Sequence, residues 1–376
     1  MRSPSRDQGL HRALAMRYRD APVRGGTQHA WGPVTTKNEQ HVSHIHTARQ
    51  FWIRAPGHGE IVHAELAPRR EDEVLVRTLY SAISRGTEAL VFKGEVPSSQ
   101  YEAMRAPFQE GQFPGPVKYG YASVGTVEEA PARVPNDLAG RLVFCLFPHQ
   151  DLYYVPAARV TLVPDDVPAG RAVLAANMET AVNVLWDARP LPGDRIVVIG
   201  AGVVGLLVAW LCGTIPGAAV TVVDVNPARE VIAQQLGLSF RTKAPPNANA
   251  DLVIHASGQP EGLASALATA GIEATIVEAS WYGIRPVALP LGEDFHSRRL
   301  TLRSSQVGRL PPDRASRWSP QRRMALALHL LRDPRLDTLI TAESAFEDLP
   351  DVMARLSHDP AGALCHRIRY PHRRDA

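Results

Sequence analysis

Three glycines in the middle of the chain stand at a spacing that suits the binding of a dinucleotide. Gly200, Gly202 and Gly205 form a G-x-G-x-x-G pattern, in which Val203 and Val204 precede the last glycine. The first glycine of such a turn permits a tight bend, the second admits a pyrophosphate, and the third lets a helix pack closely on a strand. The N-terminus of that helix offers unpaired N–H groups and a positive dipole end to the phosphates. The pattern therefore predicts a dinucleotide site.

A carboxylate downstream of the glycines indicates which dinucleotide binds. Asp224 ends a second β-branched run, Val220 to Val223. At this position a carboxylate accepts hydrogen bonds from the adenosine ribose hydroxyls and repels a 2′-phosphate. Val225, Asn226 and Pro227 follow, so no arginine stands directly beside the acid in the sequence. We therefore predict NAD(H) as the cofactor, in preference to NADP(H).

The residues around the glycines predict a strand, a turn and a helix. Residues 196–199 are a β-branched run before the first glycine, and an apolar segment follows the turn as far as Leu211. The apolar run as a whole could suggest a membrane helix. It is too short to span a bilayer, and its glycines lie where a turn must form.

Strands and helices continue to alternate after Asp224. Strands are predicted at 251–258 and 274–280, with a helix between them at about 260–270. This alternation is typical of a doubly wound parallel sheet, where ligands lie at the carboxyl ends of the strands. The side chains at those ends are predicted neighbours of the cofactor: Ser257, Ser280, Trp281 and Tyr282. The Trp and Tyr rings could equally be packed at the sheet edge.

The segment before the dinucleotide motif predicts a smaller β domain, from about 48 to 165. Its short apolar runs are separated by Gly and Pro, which is typical of a small barrel, and residues 51–53 and 59–62 predict a strand pair. A helix at 172–188 leads into the nucleotide-binding half, and residues 335–370 are predicted to return to the β domain.

Length and composition limit the class of protein. A chain of 376 residues predicts two domains, and a formal net charge of +3 is too small to indicate a nucleic acid or an anionic membrane as partner. The three cysteines are widely spaced and match neither a disulfide framework nor a zinc cluster. No apolar signal-peptide segment is found near the N-terminus, and residues 1–46 lack periodicity, so we expect a disordered leader and a cytoplasmic protein.

Four segments resemble the medium-chain dehydrogenase/reductase superfamily, namely Ser84–Glu88, Pro116–Gly125, Thr180–Ala181 and Gly200–Gly205. Within it the chain is similar to the zinc-type alcohol dehydrogenases and the bacteriochlorophyllide hydroxyethyl dehydrogenases. The resemblance implies an α/β fold with a GroES-like β-barrel domain and a Rossmann domain, and it places Thr180 beside the cofactor. The implied bounds are a leader at 1–46, a GroES-like catalytic domain at 47–165 and 318–372, and a Rossmann NAD-binding domain at 166–317.

The chain departs from this family at the zinc ligands. Arg85 stands where the resemblance implies the first cysteine, Tyr121 where it implies a histidine, and Ala176 where it implies the third ligand. The cysteines of the structural zinc lobe are absent from residues 95–116. Zinc needs three or four thiolate, imidazole or carboxylate ligands, so we predict that the protein binds no metal.

Three functions are compatible with these sequence features. The first is a zinc-independent, NAD(H)-dependent oxidoreductase acting on a hydroxyl or carbonyl group of a small molecule. In that enzyme Arg85 would stabilise the alkoxide while Tyr121 or Thr87 handled the proton, and Arg85 or Lys118 would lower the pKa of Tyr121. The second is a zinc-free enoyl or quinone reductase, and the third is a non-catalytic NAD-binding protein. Residues 300–305 alternate like an exposed edge strand and, with the resemblance, predict a homodimer.

Overall fold

The computed structural model describes residues 46–132, 138–245, 248–358 and 362–371. The predicted leader lies outside these residues, apart from His46 at its end. The described chain divides into a half built of short, mostly antiparallel strands and a half built of a parallel sheet with helices. This division confirms the predicted α/β fold class with a barrel-like part and a Rossmann part.

The described residues of the first half form nine strands and two short α-helices. They are β1 (Thr47–Ala55), β2 (His58–Glu65), β3 (Glu73–Ile83), α1 (Arg85–Phe92), β4 (Glu110–Gly111), β5 (Val117–Lys118), β6 (Ser123–Glu129), β7 (Leu142–Cys145), β8 (Leu152–Pro156), β9 (Thr161–Leu162) and α2 (Ala169–Ala172). The predicted pair is present, with Phe51 of β1 opposite Ile61 of β2. One sheet has the order β2-β1-β5-β4, and β3, β6, β7 and β9 lie in a second sheet.

The second half is a six-stranded parallel sheet. Its elements are α3 (Ala175–Ala188), β10 (Arg195–Ile199), α4 (Val203–Cys212), β11 (Ala219–Val223), α5 (Arg229–Gln235), β12 (Ser239–Arg241), β13 (Ala250–His255), α6 (Pro260–Thr269), β14 (Ala270–Glu278) and β15 (Thr301–Ser304). The strand order is β12-β11-β10-β13-β14-β15, with every pair parallel. This is the 3-2-1-4-5-6 order of a Rossmann fold. The apolar run after residue 195 is thus split between β10 and α4, and no described helix has both the length and the apolarity to cross a bilayer.

The C-terminal segment leads back to the first half. Its elements are α7 (Pro312–Ala315), α8 (Pro320–Leu330), β16 (Ile340–Ala345), α9 (Leu349–His358) and β17 (Cys365–Arg369). Strand β17 pairs with β3, and β16 pairs with β17. Helix α8 instead contacts α3, where the Arg323 guanidinium donates hydrogen bonds to Glu179 and Asn183. The domain bounds given above stay a prediction.

One hydrophobic core joins the two halves. Ala122 and Phe144 of the β half belong to the same buried cluster as Leu206 and Ile254 of the parallel half. Because protein interiors are closely packed, this shared core holds the two halves against each other.

Candidate active site

The glycine turn after β10 has the geometry that the sequence predicts. Gly200 has φ +110°, and a Cβ atom there would overlap the backbone of Ser257. A Cβ at Gly205 would collide with the carbonyl oxygen of Gly200. At Gly202, the N-cap of α4, a Cβ would meet no atom within 4 Å. Close contacts within the protein therefore leave no room for a side chain at Gly200 or Gly205. Gly202 instead borders space that a ligand could occupy.

Asp224 is fixed against this turn. One carboxylate oxygen accepts a hydrogen bond from the backbone N–H of Ala201 at 2.7 Å, and the other accepts one from Asn226 N–H at 2.9 Å. The side chain is only half-buried. The carboxylate thus lies at the carboxyl end of β11 beside the glycine turn, where Rossmann proteins bind the adenosine ribose.

Two arginines approach Asp224 from outside its own strand. Arg229 of α5 donates to the carbonyl oxygens of Gly362 and Ala363 at 3.0 and 3.2 Å, and Arg85 of α1 donates to that of Ala363 at 2.8 Å. Burial lowers the pKa of both guanidinium groups, while the charge of Asp224 raises it. The three residues after Asp224 include no arginine, yet Arg229, the first residue of α5, lies near enough for the charge of Asp224 to raise its pKa.

Tyr121 contacts the side chains of Ser84 and Thr87 at the start of α1. Burial raises its pKa to about 12, Glu88 adds to the rise, and side-chain hydrogen bonds with Ser84 and Thr87 oppose it. The prediction that Arg85 or another cation lowers this pKa is wrong, since Arg85 turns toward Ala363 and Asp224. At neutral pH Tyr121 therefore keeps its proton and can act as a hydrogen-bond donor.

Lys118 lies inside the barrel and does not join Tyr121. The lysine is buried, its Nζ donates to Gln150 Oε1 at 2.8 Å, and it forms an ion pair with Glu110 at 2.5 Å. Burial lowers the pKa of Lys118, while Glu110 raises it. The backbone bends at Gly120, which has φ +128°, but the Lys118 ammonium is held by Gln150 and Glu110. The structure thus separates Lys118 from the other three predicted catalytic residues.

A buried polar network near Tyr121 joins Glu88, His149 and Ser81. It is not predicted from the sequence. Glu88 Oε2 lies 2.9 Å from His149 Nε2, and His149 Nδ1 lies 2.7 Å from the Ser81 hydroxyl. Ser81 in turn contacts the Tyr370 hydroxyl at 3.0 Å, and Glu88 accepts the backbone N–H of Ser84 at 2.7 Å. No local pattern indicates this network, because its members come from separate elements. It fixes the start of α1, where Ser84 and Arg85 lie.

The carboxyl ends of β13 and β14 carry a second polar cluster. The Ser257 hydroxyl lies 2.6 Å from His255 Nε2, and His255 Nδ1 lies 2.8 Å from Glu278 Oε2. Ser280 Oγ accepts the backbone N–H of Gly258 at 3.0 Å. Neither His255 nor Glu278 is among the site residues predicted from the sequence. Their spacing could have indicated them, since each stands two residues before a predicted serine and so lies on the same side of an extended chain.

The remaining predicted neighbours of the cofactor have contacts within the protein. The Thr180 hydroxyl donates to the Ala176 carbonyl oxygen at 3.0 Å, inside α3. Trp281 packs against the β-half core that includes Phe113, which supports the packing alternative for this ring. The Tyr282 hydroxyl donates to Glu278 Oε2 at 2.9 Å.

The side chains at the implied zinc positions do not fit a zinc site. They are a guanidinium turned toward a carbonyl oxygen, a protonated phenol and the methyl group of Ala176. Over the described ranges, no three His, Cys, Asp or Glu side chains come together as a set that could hold a metal ion. Cys145, Cys212 and Cys365 are buried free thiols. That the protein works without zinc stays a prediction.

Comparison with known proteins gives distant relatives. No family model matches the sequence. The chain is 25% identical over 217 residues to the uncharacterized zinc-type alcohol dehydrogenase-like protein YdjJ of Escherichia coli K12, covering 49% of this chain and 59% of that protein. It is 29% identical over 117 residues to L-threonine 3-dehydrogenase of Chelativorans sp. BNC1, covering 31% of this chain and 33% of that protein. The chain thus matches less than two thirds of the length of these relatives.

Solved structures share the fold over most of the chain. A short chain alcohol dehydrogenase (rspB) from E. coli CFT073, in complex with NADH, has a TM-score of 0.68 at 17% identity, covering 86% of this chain and 99% of that one. The 2R,3R-butanediol dehydrogenase from Bacillus subtilis has a TM-score of 0.69 at 16% identity, covering 86% of this chain and 100% of that one. The chain thus shares its fold with these solved dehydrogenases and is similar over part of its length to the curated ones.

Proposed function

We propose that this protein is an NAD(H)-dependent oxidoreductase of the alcohol dehydrogenase type, acting on a hydroxyl or carbonyl group of a small molecule without zinc. The observation that supports it best is the hydrogen bond from Ala201 N–H to Asp224, which joins the glycine turn to the acid at the end of β11. Bound NAD(H) would supply or accept the hydride. The alcohol and threonine dehydrogenases among its relatives support the same reaction class.

The chain offers groups along the whole length of a bound dinucleotide. Asp224 would accept the adenosine ribose hydroxyls, which favours NAD(H) over NADP(H). The N-terminus of α4, at Val203 and Val204, would face the pyrophosphate, and Arg85 and Arg229 would add positive charge beside it. Two hydroxyls remain for the nicotinamide half, those of Thr180 and Ser280, while the Ser257 hydroxyl contacts His255.

Tyr121 is the proposed hydrogen-bond donor to the reacting oxygen. It stays protonated because its pKa is raised, and its hydroxyl lies beside those of Ser84 and Thr87. A donor aimed at that oxygen stabilises the charge that develops there in the transition state. Thr87 would assist through this contact, and Arg85 would act on the cofactor rather than on the substrate.

The proposal is tested by cofactor binding and by hydride transfer. NADH fluorescence gives the affinity, and nicotinamide absorbance follows the oxidation of 2,3-butanediol and L-threonine, the substrates in the names of the relatives, with simple secondary alcohols as further probes. The control is Gly202→Glu, which should fold because its Cβ meets open space, yet exclude the dinucleotide by bulk and charge.

Each outcome distinguishes a function. NADH binding with alcohol-dependent reduction of NAD supports the oxidoreductase. Binding without turnover on any alcohol or carbonyl compound indicates a non-catalytic binding protein. Reduction of a conjugated enone or a quinone, with no alcohol oxidation, indicates the alternative reductase.

A further inference from the structure

A line of hydrogen-bonded side chains lies at the carboxyl ends of β13 and β14. It begins at the half-buried Ser257, passes through His255, which is fully buried, and ends at the largely buried Glu278. The two contacts measure 2.6 Å, from Ser257 Oγ to His255 Nε2, and 2.8 Å, from His255 Nδ1 to Glu278 Oε2. Hydroxyl, imidazole and carboxylate in this order are the parts of a proton relay.

The partners of Glu278 determine where the protons lie. Its Oε1 accepts the backbone N–H of Ser280 at 2.7 Å, and its Oε2 accepts the Tyr282 hydroxyl at 2.9 Å. A carboxylate only accepts, so the facing Nδ1 of His255 carries the proton and Nε2 is left as an acceptor for the Ser257 hydroxyl. Ser257 Oγ also accepts Gln259 N–H at 3.2 Å. One of its lone pairs remains for a ligand.

The relay lies where the nicotinamide half of the cofactor is expected. With the adenosine ribose at the end of β11, a dinucleotide crosses the switch point between β10 and β13 and reaches the ends of β13 and β14. Ser257 packs directly against Gly200 of the glycine turn. After β14 the chain contacts the β half. Trp281 packs against the core that includes Phe113, and a Cβ at Gly283 would meet the backbone of Glu95.

We propose that Ser257, His255 and Glu278 form the proton relay of the redox reaction. This rests on the proposed function. As the alcohol is oxidised, its O–H proton passes to Ser257 Oγ and the Ser257 proton passes to His255 Nε2. The C–H bond breaks with its electron pair, which goes as hydride to the nicotinamide dinucleotide, and a carbonyl group forms. Glu278 balances the charge of the imidazolium, and Tyr121, which stays protonated, donates a hydrogen bond to the same oxygen.

The test compares two buried histidines that each contact a serine. His255→Asn keeps a donor near Glu278 and removes the Nε2 acceptor. The control is His366→Asn, since His366 Nε2 lies 2.9 Å from Ser344 Oγ on the β16–β17 pair. We expect His255→Asn to lower kcat by about 10²–10⁴ and to leave the Kd of NADH unchanged. His366→Asn should keep both properties. Equal kcat in the two variants would overturn the relay.

A second pair of variants covers the case in which His255→Asn does not fold. Ser257→Thr keeps the hydroxyl and should retain turnover, whereas Ser257→Ala should lose it to the extent expected for His255→Asn. Similar turnover in the alanine and threonine variants would overturn the relay.

Direct observation separates this inference from the proposed function. In wild-type protein with labelled histidine, NMR should show His255 protonated at Nδ1 and unprotonated at Nε2. The opposite tautomer overturns the relay, whatever the enzyme oxidises. Failure of the wild type to oxidise any alcohol contradicts the proposed function instead, and the tautomer still decides whether the relay is formed.

Discussion

Arg85 and Arg229 donate hydrogen bonds to the same carbonyl oxygen, that of Ala363, at 2.8 and 3.2 Å. Two guanidinium groups so close together repel each other, and the charge of Arg229 lowers the pKa of Arg85 below the value that burial alone would give. An anion bound between them would relieve this repulsion. The pair lies near Asp224, which suits the phosphates of a dinucleotide better than a reacting alkoxide.

Arg85→Gln should therefore act on cofactor binding. We expect the Kd of NADH to rise about tenfold, or about 1.4 kcal/mol, with a smaller change in kcat at saturating cofactor. Fluorescence titration measures the affinity. Arg54→Gln is the control, since Arg54 pairs with Glu60 on the exposed β1–β2 surface. A large loss of kcat with unchanged Kd would restore a catalytic role for Arg85.

Asp224 should make the protein prefer NAD(H). We expect NADH to bind at least about tenfold more tightly than NADPH, because a 2′-phosphate would meet the carboxylate. Asp224→Ala should weaken NADH binding and reduce the preference. Titration of both cofactors against both proteins measures the effect, and equal affinities in the wild type would contradict it.

Tyr121→Phe should lower kcat by about 10²–10⁴ if the hydroxyl donates to the reacting oxygen. The pKa of Tyr121 is about 12, so the donor is present at neutral pH and is lost only as the pH rises toward that value. Carbonyl reduction by the wild type should therefore show no loss from this group across the neutral range. Turnover of Tyr121→Phe equal to that of the wild type would place the donor elsewhere, with Thr87→Val as the next variant.

The protein should contain no tightly bound zinc. The side chains at the implied ligand positions are a guanidinium, a phenol and a methyl group, none of which replaces a thiolate or imidazole. Elemental analysis after dialysis should find well under one zinc per chain, and a chelator should leave hydride transfer unchanged. One zinc per chain, with activity that depends on it, would contradict the prediction.

Strand β15 should form the contact of a homodimer. It is the edge strand of the parallel sheet, its four residues are exposed, and Leu302 is 37% exposed. Edge strands offer unpaired N–H and C=O groups to another chain. Sedimentation at micromolar concentration should show a dimer, and Leu302→Lys should shift it toward monomer. A wild-type monomer at that concentration would count against the interface.

The sequence alone determined the nucleotide-binding half. The β-branched run before Gly200, the three glycines and Asp224 follow one another closely, and each depends on local preferences for strand, turn and helix. The fold class, the edge position of β15 and the glycine turn were therefore predictable. The residues at the family's zinc positions were also identified in the sequence, but the directions of their side chains were not.

Only the tertiary structure decided which charged side chains meet. Arg85 and Arg229 are brought together at Ala363 although they lie on different halves of the chain, and the Lys118 ammonium is held by Gln150, a residue in the segment before β8. The contact of His255 with Glu278 likewise depends on the register of β13 against β14, in which the two residues are direct partners. Such contacts arise from strand order and helix packing, and residues far apart in sequence carry no local signal that they will be neighbours.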